Sequence, residues 1–386
     1  MRRFILLLAC VLFTQITITA QTPIKVAVFA PLYVDSAFSD NTYKLGNTTL
    51  PKYMLSGLEF YNGIQLAIDS LRAAGKPLEI LLYDSKANKS VQEICNSTAF
   101  EKVVLIIACF NNRNEVKPLA DIAFQKQIPL ISATYPNDGG IVDNPFFILM
   151  NTGLKTHIDE IYKHLQKQYA TTNLVYIKKK GSLENILQGY FTNAAKNTAS
   201  IPLKYNTIEL NDAFTAEQVS KYLDSNKKNT IVCGSLDEAF GTQLVKAVAS
   251  QKAYNATIVG MPTWDNIKEL DKPECKGVTI VYSTPFWFNN NVLLNNYIQK
   301  KYKQKFFLKP TDWVFKGFEA MYYFGSLAVA FPNDCINHLS DKKFKCFNEF
   351  NIQPIKNNTA PSTVKYLENQ KLYFIKKVDG QVIQAL

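Results

Sequence analysis

Only three histidines stand in the 386 residues, and the seven cysteines form no Cys-x-x-Cys pair. His157 and His164 lie seven positions apart with no Cys or His at ligand spacing, which argues against a metal site. No Gly-x-Ser-x-Gly, Gly-x-Gly-x-x-Gly, Gly-x-x-x-x-Gly-Lys-Ser/Thr or His-Glu-x-x-His sequence occurs, so the common hydrolase, dinucleotide, nucleotide and zinc-protease signatures are missing. The adjacent Asp237-Glu238 pair makes no dyad, because successive side chains on a helix point apart. Neither catalysis nor a cofactor is expected. Charged residues are sparse at 19%, and although Lys and Arg outnumber Asp and Glu by 43 to 32, the basic residues are dispersed in short groups such as Lys178-Lys179-Lys180. That pattern reads as a solvated basic face, with a binding patch as the alternative, and not as a nucleic-acid arm. With 47% hydrophobic residues and no low-complexity tract, the chain reads as a globular protein of two or three domains.

No apolar run reaches the roughly 20 residues that span a bilayer. The longest, Phe4 to Phe13, follows Met1-Arg2-Arg3 and leads through a polar stretch to Ile18-Thr19-Ala20, which reads as a signal peptide over residues 1–20 cleaved after Ala20. Loss of its two arginines lowers the formal charge from +11 to +9. A periplasmic location follows, with lipid anchoring at Cys10, in the lipobox-like Leu7-Leu8-Ala9-Cys10, as the alternative. The other six cysteines suit an oxidising compartment. Cys335 and Cys346 are close enough for a small disulfide loop, whereas Cys109 and Cys233 end apolar runs and read as buried thiols.

What is present is one repeating pattern of apolar run, turn and amphipathic helix. Runs at 25–30, 78–83, 103–109 and 128–132 alternate with helical patterns, including Leu58 to Leu71 opened by a capping box at Ser56 and ended by Gly75, and one opened by Asn112. After Asn151-Thr152-Gly153 the alternation restarts, with runs at 173–177, 203–208, 230–233, 257–260 and 278–282. Runs apolar on both faces and separated by helices imply parallel sheets, here two doubly wound α/β lobes. The helical stretches Asn291 to Lys303 and Thr311 to Ala330 are candidates for returning to cover the first lobe, and Lys371 to Lys377 reads as a late strand.

In open α/β sheets, ligands bind outside the carboxyl ends of the strands, where unpaired N–H groups of turns and helix N-termini meet. That rule selects Tyr33, Asn112, Ser132, Thr134, Tyr135, Ser182, Ser235, Asp237, Trp264 and Asp265 as candidate ligand-facing residues. Ser132 and Thr134 offer hydroxyls, Tyr135 and Trp264 flat apolar walls, and Asp237 or Asp265 a negative charge. Asn, Ser and Asp at such turns also cap the following helix, so each carries a structural alternative.

The order of segments resembles the type I periplasmic substrate-binding proteins, the branched-chain amino-acid-binding-like receptors of ABC importers. It rests on Val104-Leu105-Ile106-Ile107, Asn114 to Ala123, Ile128 to Thr134, Asn144-Pro145-Phe146-Phe147 and Leu174-Val175-Tyr176-Ile177, with Phe60 to Ala67 similar to that family's first helix. The resemblance implies two lobes closing over a ligand about a three-strand hinge, with crossovers near Asn151-Thr152-Gly153, Tyr282 to Pro285 and Ile352-Gln353-Pro354. The lobes would comprise residues 21–152 with 285–352, and 153–284 with 353–386. It further implies a monomer that hands a small polar ligand, an amino acid or related compound, to a membrane permease. The alternative is a ligand-sensing or envelope-associated module of the same fold without transport. The amino-acid recognition set is incomplete, since Asn111-Asn112 stands at the serine-rich turn, Ser182 at an aromatic position and Pro262 where the family's acid is expected.

Overall fold

The computed structural model describes residues 23–385 except 41, 47–49, 77 and 358–361. The expected signal peptide and Cys10 lie outside the described residues. Strands β1 (Ile24–Ala30), β2 (Leu78–Asp84), β3 (Val103–Ala108), β4 (Leu130–Ser132) and β5 (Phe147–Leu149) build the first sheet, and β6 (Asn173–Lys179), β7 (Asn206–Leu210), β8 (Asn229–Cys233), β9 (Ala256–Val259) and β10 (Thr279–Thr284) the second. Four late strands complete them: β11 (Ile352–Lys356) and β12 (Val364–Asn369) join the first sheet, β13 (Tyr373–Val378) and β14 (Gln381–Gln384) the second. Each sheet is seven-stranded, in the orders β11-β12-β5-β4-β3-β1-β2 and β14-β13-β10-β9-β8-β6-β7. The first five strands of each lobe thus repeat one order, 2-1-3-4-5, and pair in parallel.

The long helices are α1 (Lys52–Ala73), α2 (Arg113–Lys126), α3 (Leu154–Gln168), α4 (Ser182–Asn197), α5 (Glu238–Ser250), α6 (Val292–Phe306) and α7 (Asp312–Ala330). Helix α1 starts four residues before the expected capping box. Its N-cap is Pro51, whose ψ of 139° is extended while the next residues are helical, and Ser56 lies inside the helix. As expected, the late helices return to the first lobe. Helix α7, apolar almost all round, is buried against α1 and the first sheet. The two helices touch through glycines: a Cβ on Gly63 would stand 2.0 Å from the Val314 carbonyl oxygen, and one on Gly317 2.0 Å from that of Phe60.

Two expectations are corrected. Within the stretch 353–386 assigned to the second lobe, β11 and β12 belong to the first sheet instead, because β12 pairs in parallel with β5. The third crossing therefore falls at 370–372, not near Pro354. Nor do Cys335 and Cys346 form a disulfide. All six described cysteines are free and buried, and the Cys346 Sγ lies 3.6 Å from Glu319 Oε1.

The crossings are tied to one another. Thr152 Oγ1 donates to the Asn369 carbonyl at 2.7 Å, and Asn369 Nδ2 to that of Met150 at 3.2 Å. Helix α3 has no side-chain cap at Gly153, but buried Glu368 of β12 accepts from Thr156 Oγ1 at 2.6 Å, placing a carboxylate at that helix N-terminus. His157 Nδ1 lies 2.8 Å from Ser283 Oγ, one residue before the end of β10.

Burial lowers the His157 imidazole to about 3 and that of His164 to about 4. Both are neutral in the fold, whereas unfolded histidines protonate near 6.5. Their contribution to stability is therefore complete above about pH 6.5 and is lost as the pH falls toward 3–4, with a slope of up to about 1.4 kcal/mol per pH unit for each. Glu319, Glu368 and Asp265, raised by burial, act in the opposite direction. Accordingly, His157→Gln should lose less stability between pH 7 and 5.5 than the parent. Urea midpoints at both pH values measure this, and equal losses would contradict a buried neutral His157.

Candidate functional site

All three crossings leave carboxyl ends of strands. The chain exits β5 into the N-terminus of α3, exits β10 toward α6, and exits β12 into β13, whose first residue Tyr373 pairs with Thr284 at the end of β10. Since α3 begins at the edge where the second sheet's strands end, the carboxyl edges of both sheets face the junction. The order 2-1-3-4-5 reverses direction between β1 and β3, and between β6 and β8. Those are the two crevices where strand ends diverge and ligands enter.

At the first crevice, Tyr33 follows β1 with φ 57°, a left-handed conformation uncommon for a residue with a bulky side chain. The Asp84 carboxylate at the end of β2 holds it there, accepting from the N–H groups of Leu32 at 2.9 Å and Val34 at 2.7 Å. The Tyr33 ring meets Tyr53 edge-on at 4.8 Å, lies under Lys86 Nζ at 5.5 Å, and its hydroxyl accepts from Asn111 Nδ2. Lys86 is paired with Glu115. Backbone strain held by a dedicated carboxylate marks Tyr33 as a positioned residue.

At the second crevice, Lys179 ends β6 between Asp237 at 2.7 Å and Asp212 at 2.9 Å. The Asp237 bond above all holds the Lys179 ammonium well above its usual range, and Lys179 in turn lowers Asp237. Asp237 also caps α5, accepting from Phe240 N at 3.0 Å. Ser182 is exposed at the start of α4. Ser235 is fully buried and donates to Glu184 Oε1 at 2.7 Å.

Between the crevices, at the second crossing, a cavity of about 180 Å³ is lined by Asp265 from the second lobe and by Phe286, Asn289, Asp312, Phe315 and Lys316. Asp265 Oδ2 accepts from Thr284 Oγ1 at 3.1 Å, and burial raises its carboxyl. Lys316 Nζ stands 4.7 Å from the Phe286 ring centre, has no carboxylate within 4.0 Å among the described residues, and is lowered by burial. A larger cavity of about 980 Å³, lined by Lys155, Tyr162, Lys167 and Ile201 among others, lies on the outer face of α3 and α4, away from the strand ends.

The periplasmic binding protein family model matches residues 52–333. The chain belongs to that family. Solved structures share its fold. A candidate branched-chain amino acid ABC transporter from Rhodospirillum rubrum is 14% identical with TM-score 0.68, covering 94% of this chain and 100% of its own. The periplasmic ligand-binding protein of a branched-chain amino acid ABC transporter from Burkholderia xenovorans is 13% identical with TM-score 0.61, covering 94% of each. A substrate-binding protein from Desulfitobacterium hafniense in complex with Leu is 14% identical with TM-score 0.53, covering 94% and 100%. No curated protein matches this sequence.

As a periplasmic binding protein, the chain brings Tyr33 and Asn112 to one rim of the junction and Ser182 and Asp237 to the other, with Asp265 between them at the hinge. Other expected residues face elsewhere. Trp264 is fully buried against Gly241 and Gly260 in the core of the second lobe, so it is no ligand wall. Thr134 is buried and donates to the Phe110 carbonyl at 3.0 Å, and Ser132 and Ser235 are wholly enclosed. Tyr135 packs half-buried against the first-lobe core. Sequence reasoning did not single out Tyr53, Lys86, Lys179 or Lys316. Lys86 and Lys179 carry a usable signal, since each stands at or just past a strand end. Tyr53 and Lys316 reach the junction from helix faces, which strand-end logic does not search.

Proposed function

We propose that this protein is a solute-binding protein of the periplasm that captures a small polar ligand between its lobes and presents it to the membrane permease of an ABC importer, without catalysis. The observation carrying this reading is the pair of matching switch-point crevices whose carboxyl edges meet at one three-stranded junction. Closure draws its free energy from contacts that exist only when both rims touch the ligand. Tyr33 supplies the aromatic surface of the first rim. Asp237 is already engaged by Lys179 and by the α5 N-terminus, so Asp265 is the second-lobe acid left to meet a cationic group, with Lys316 across the cavity for an anionic one. An amino acid or related zwitterion satisfies both. The fold alone does not choose the ligand: the Desulfitobacterium hafniense neighbour is in complex with Leu, and another neighbour is a fatty acid ABC transporter substrate-binding protein from Thermomonospora curvata.

Thermal-shift screening against amino acids, amides, short peptides and sugars tests the proposal, since a ligand at 100 times its Kd adds about 2.7 kcal/mol. With a hit in hand, Tyr33→Ala and Asp265→Asn should each weaken binding about tenfold or more in calorimetric titration. Thr134→Ala should lower stability by about 1 kcal/mol and leave affinity unchanged, because its hydroxyl serves the backbone. Small-angle scattering should show compaction on binding. A panel without a single stabilising compound, or unchanged affinity in both variants, would refute the assignment.

A further inference from the structure

From Cys275 to Thr311 the sequence contains no Asp or Glu, and residues 292–311 hold five lysines, Lys300, Lys301, Lys303, Lys305 and Lys309. This acid-free stretch coincides with α6 and the turn after it. The helix seats Asn295, Ile298 and Tyr302 against the first lobe. Its outer face is unusual for a surface helix: Leu293 is 84% exposed, Tyr297 45%, Phe307 87% and Leu308 62%. Leu293, Tyr297, Lys300, Lys301 and Gln304 recur at helical spacing and form one stripe, and Phe307 and Leu308 follow in the turn after the helix. Only Lys305 of the five lysines has a carboxylate within 4.0 Å among the described residues, that of Asp69 at 3.4 Å. Glu59, on the neighbouring helix α1, is occupied by Thr311 Oγ1. Exposed apolar tips interleaved with lysines, four of the five without a carboxylate within 4.0 Å among the described residues, are thus concentrated on one element and the turn after it.

We infer that the outer face of α6 and the turn through Lys309 docks on the surface of an anionic phospholipid bilayer. Leu293, Phe307 and Leu308 enter the headgroup boundary while the lysine stems extend along it and place their ammonium groups at the phosphates. Charge complementarity favours this occupant. Protein–protein interfaces are depleted in lysine, whereas helices lying on membranes are enriched in lysine beside Leu, Phe and Trp. Such docking confines the protein to the membrane face by a route independent of the junction between the lobes.

Co-sedimentation with vesicles of phosphatidylcholine alone, or mixed with phosphatidylglycerol, tests the inference. The protein is recovered after export, so any contribution of residues 1–22 is common to every variant and cancels in the comparison. Binding should be at least about tenfold stronger on the anionic vesicles and weaken with salt. The triple variant Lys300→Glu, Lys301→Glu, Lys303→Glu should lose about tenfold or more. Leu293→Ser with Leu308→Ser should also lower binding at low salt, which mere adsorption of a basic protein would not show. Unchanged melting temperatures confirm folding, and the milder Lys→Gln triple variant replaces the first if it does not fold. Absence of binding, equal binding to both vesicles, indifference to both sets of substitutions, or binding to soluble polyglutamate as strong as to vesicles would each overturn the inference, the last pointing to an acidic protein partner.

Discussion

Trp264→Ala is expected to lower the stability of the second lobe by about 3–5 kcal/mol, the range for removing a large aromatic side chain from a core. Trp264 is fully buried, and the surrounding backbone is shaped to it. A Cβ on Gly260 would stand 2.0 Å from Trp264 Cδ2, and one on Gly241 2.8 Å from Nε1. Neighbours so close cannot collapse into the void, which places the expected loss toward the upper part of the range. Trp264→Phe should recover much of it. The smaller ring refills the space in part and removes an indole N–H that has no hydrogen-bond partner among the described residues. Urea unfolding of both variants, beside calorimetric affinity, is the measurement. A wall of the ligand site would lose affinity at unchanged stability, and that outcome would reject the core assignment.

Glu319→Ala should be comparably severe in the first lobe. Glu319 lies on α7, fully buried. Its Oε1 accepts from Phe347 N at 3.3 Å and Asn348 N at 2.7 Å, and its Oε2 from Asn348 Nδ2 at 2.7 Å. Asn348 Oδ1 in turn accepts from Trp287 N at 2.7 Å, which seats the chain just beyond the second crossing. Truncation orphans three buried donors at about 1–3 kcal/mol each, so a loss of about 3 kcal/mol or more is expected. Burial raises the Glu319 carboxyl, so its protonated form contributes stability that is present at low pH and lost as the pH rises through its raised value. Glu319→Gln keeps one acceptor and has no proton to release. It should be intermediate in stability at pH 7 and closer to the parent at pH 8 than at pH 5. Chemical denaturation across that range decides the matter, and a pH-independent gap between the two proteins would contradict the raised carboxyl.

The periodicity of the chain made most of the fold legible. Apolar runs of parallel strands located the first five strands of the second lobe and four of the first, and α7 occupies the stretch from Thr311 to Ala330 that its pattern assigns. Strand β5 escaped because Phe147 to Leu149 is too short to show a period. Strands β11 and β12 were not read from the sequence, and the resemblance placed the third crossover near Ile352-Gln353-Pro354; β11 is instead an edge strand, where Pro354 is tolerated, and the crossing follows β12. At the junction, strand-end reasoning reached the rims at Tyr33 and Asp237 because strand termini are visible in sequence. It failed at Trp264 because a side chain on a strand-end turn can point into the lobe as readily as out of it, and alternation ends where the strand does. Lys316 was out of reach, being far in sequence from every strand whose edge it approaches.

The return of the chain to its first lobe also sets a schedule for synthesis. The second lobe's parallel core is contiguous from α3 to β10 and is complete once residue 284 is free. The first lobe must wait for α7 to cover its sheet and for β12 to take its place beside β5, a separation of more than 200 residues. At the usual rate of translation that delay lasts roughly 10–40 s. Throughout it, the apolar faces of β1, β3 and β4 lack their final cover, so the part of the protein made first matures last. A chain arranged in this way leaves the apolar surface at its N-terminal end unfinished until nearly all of it has been made.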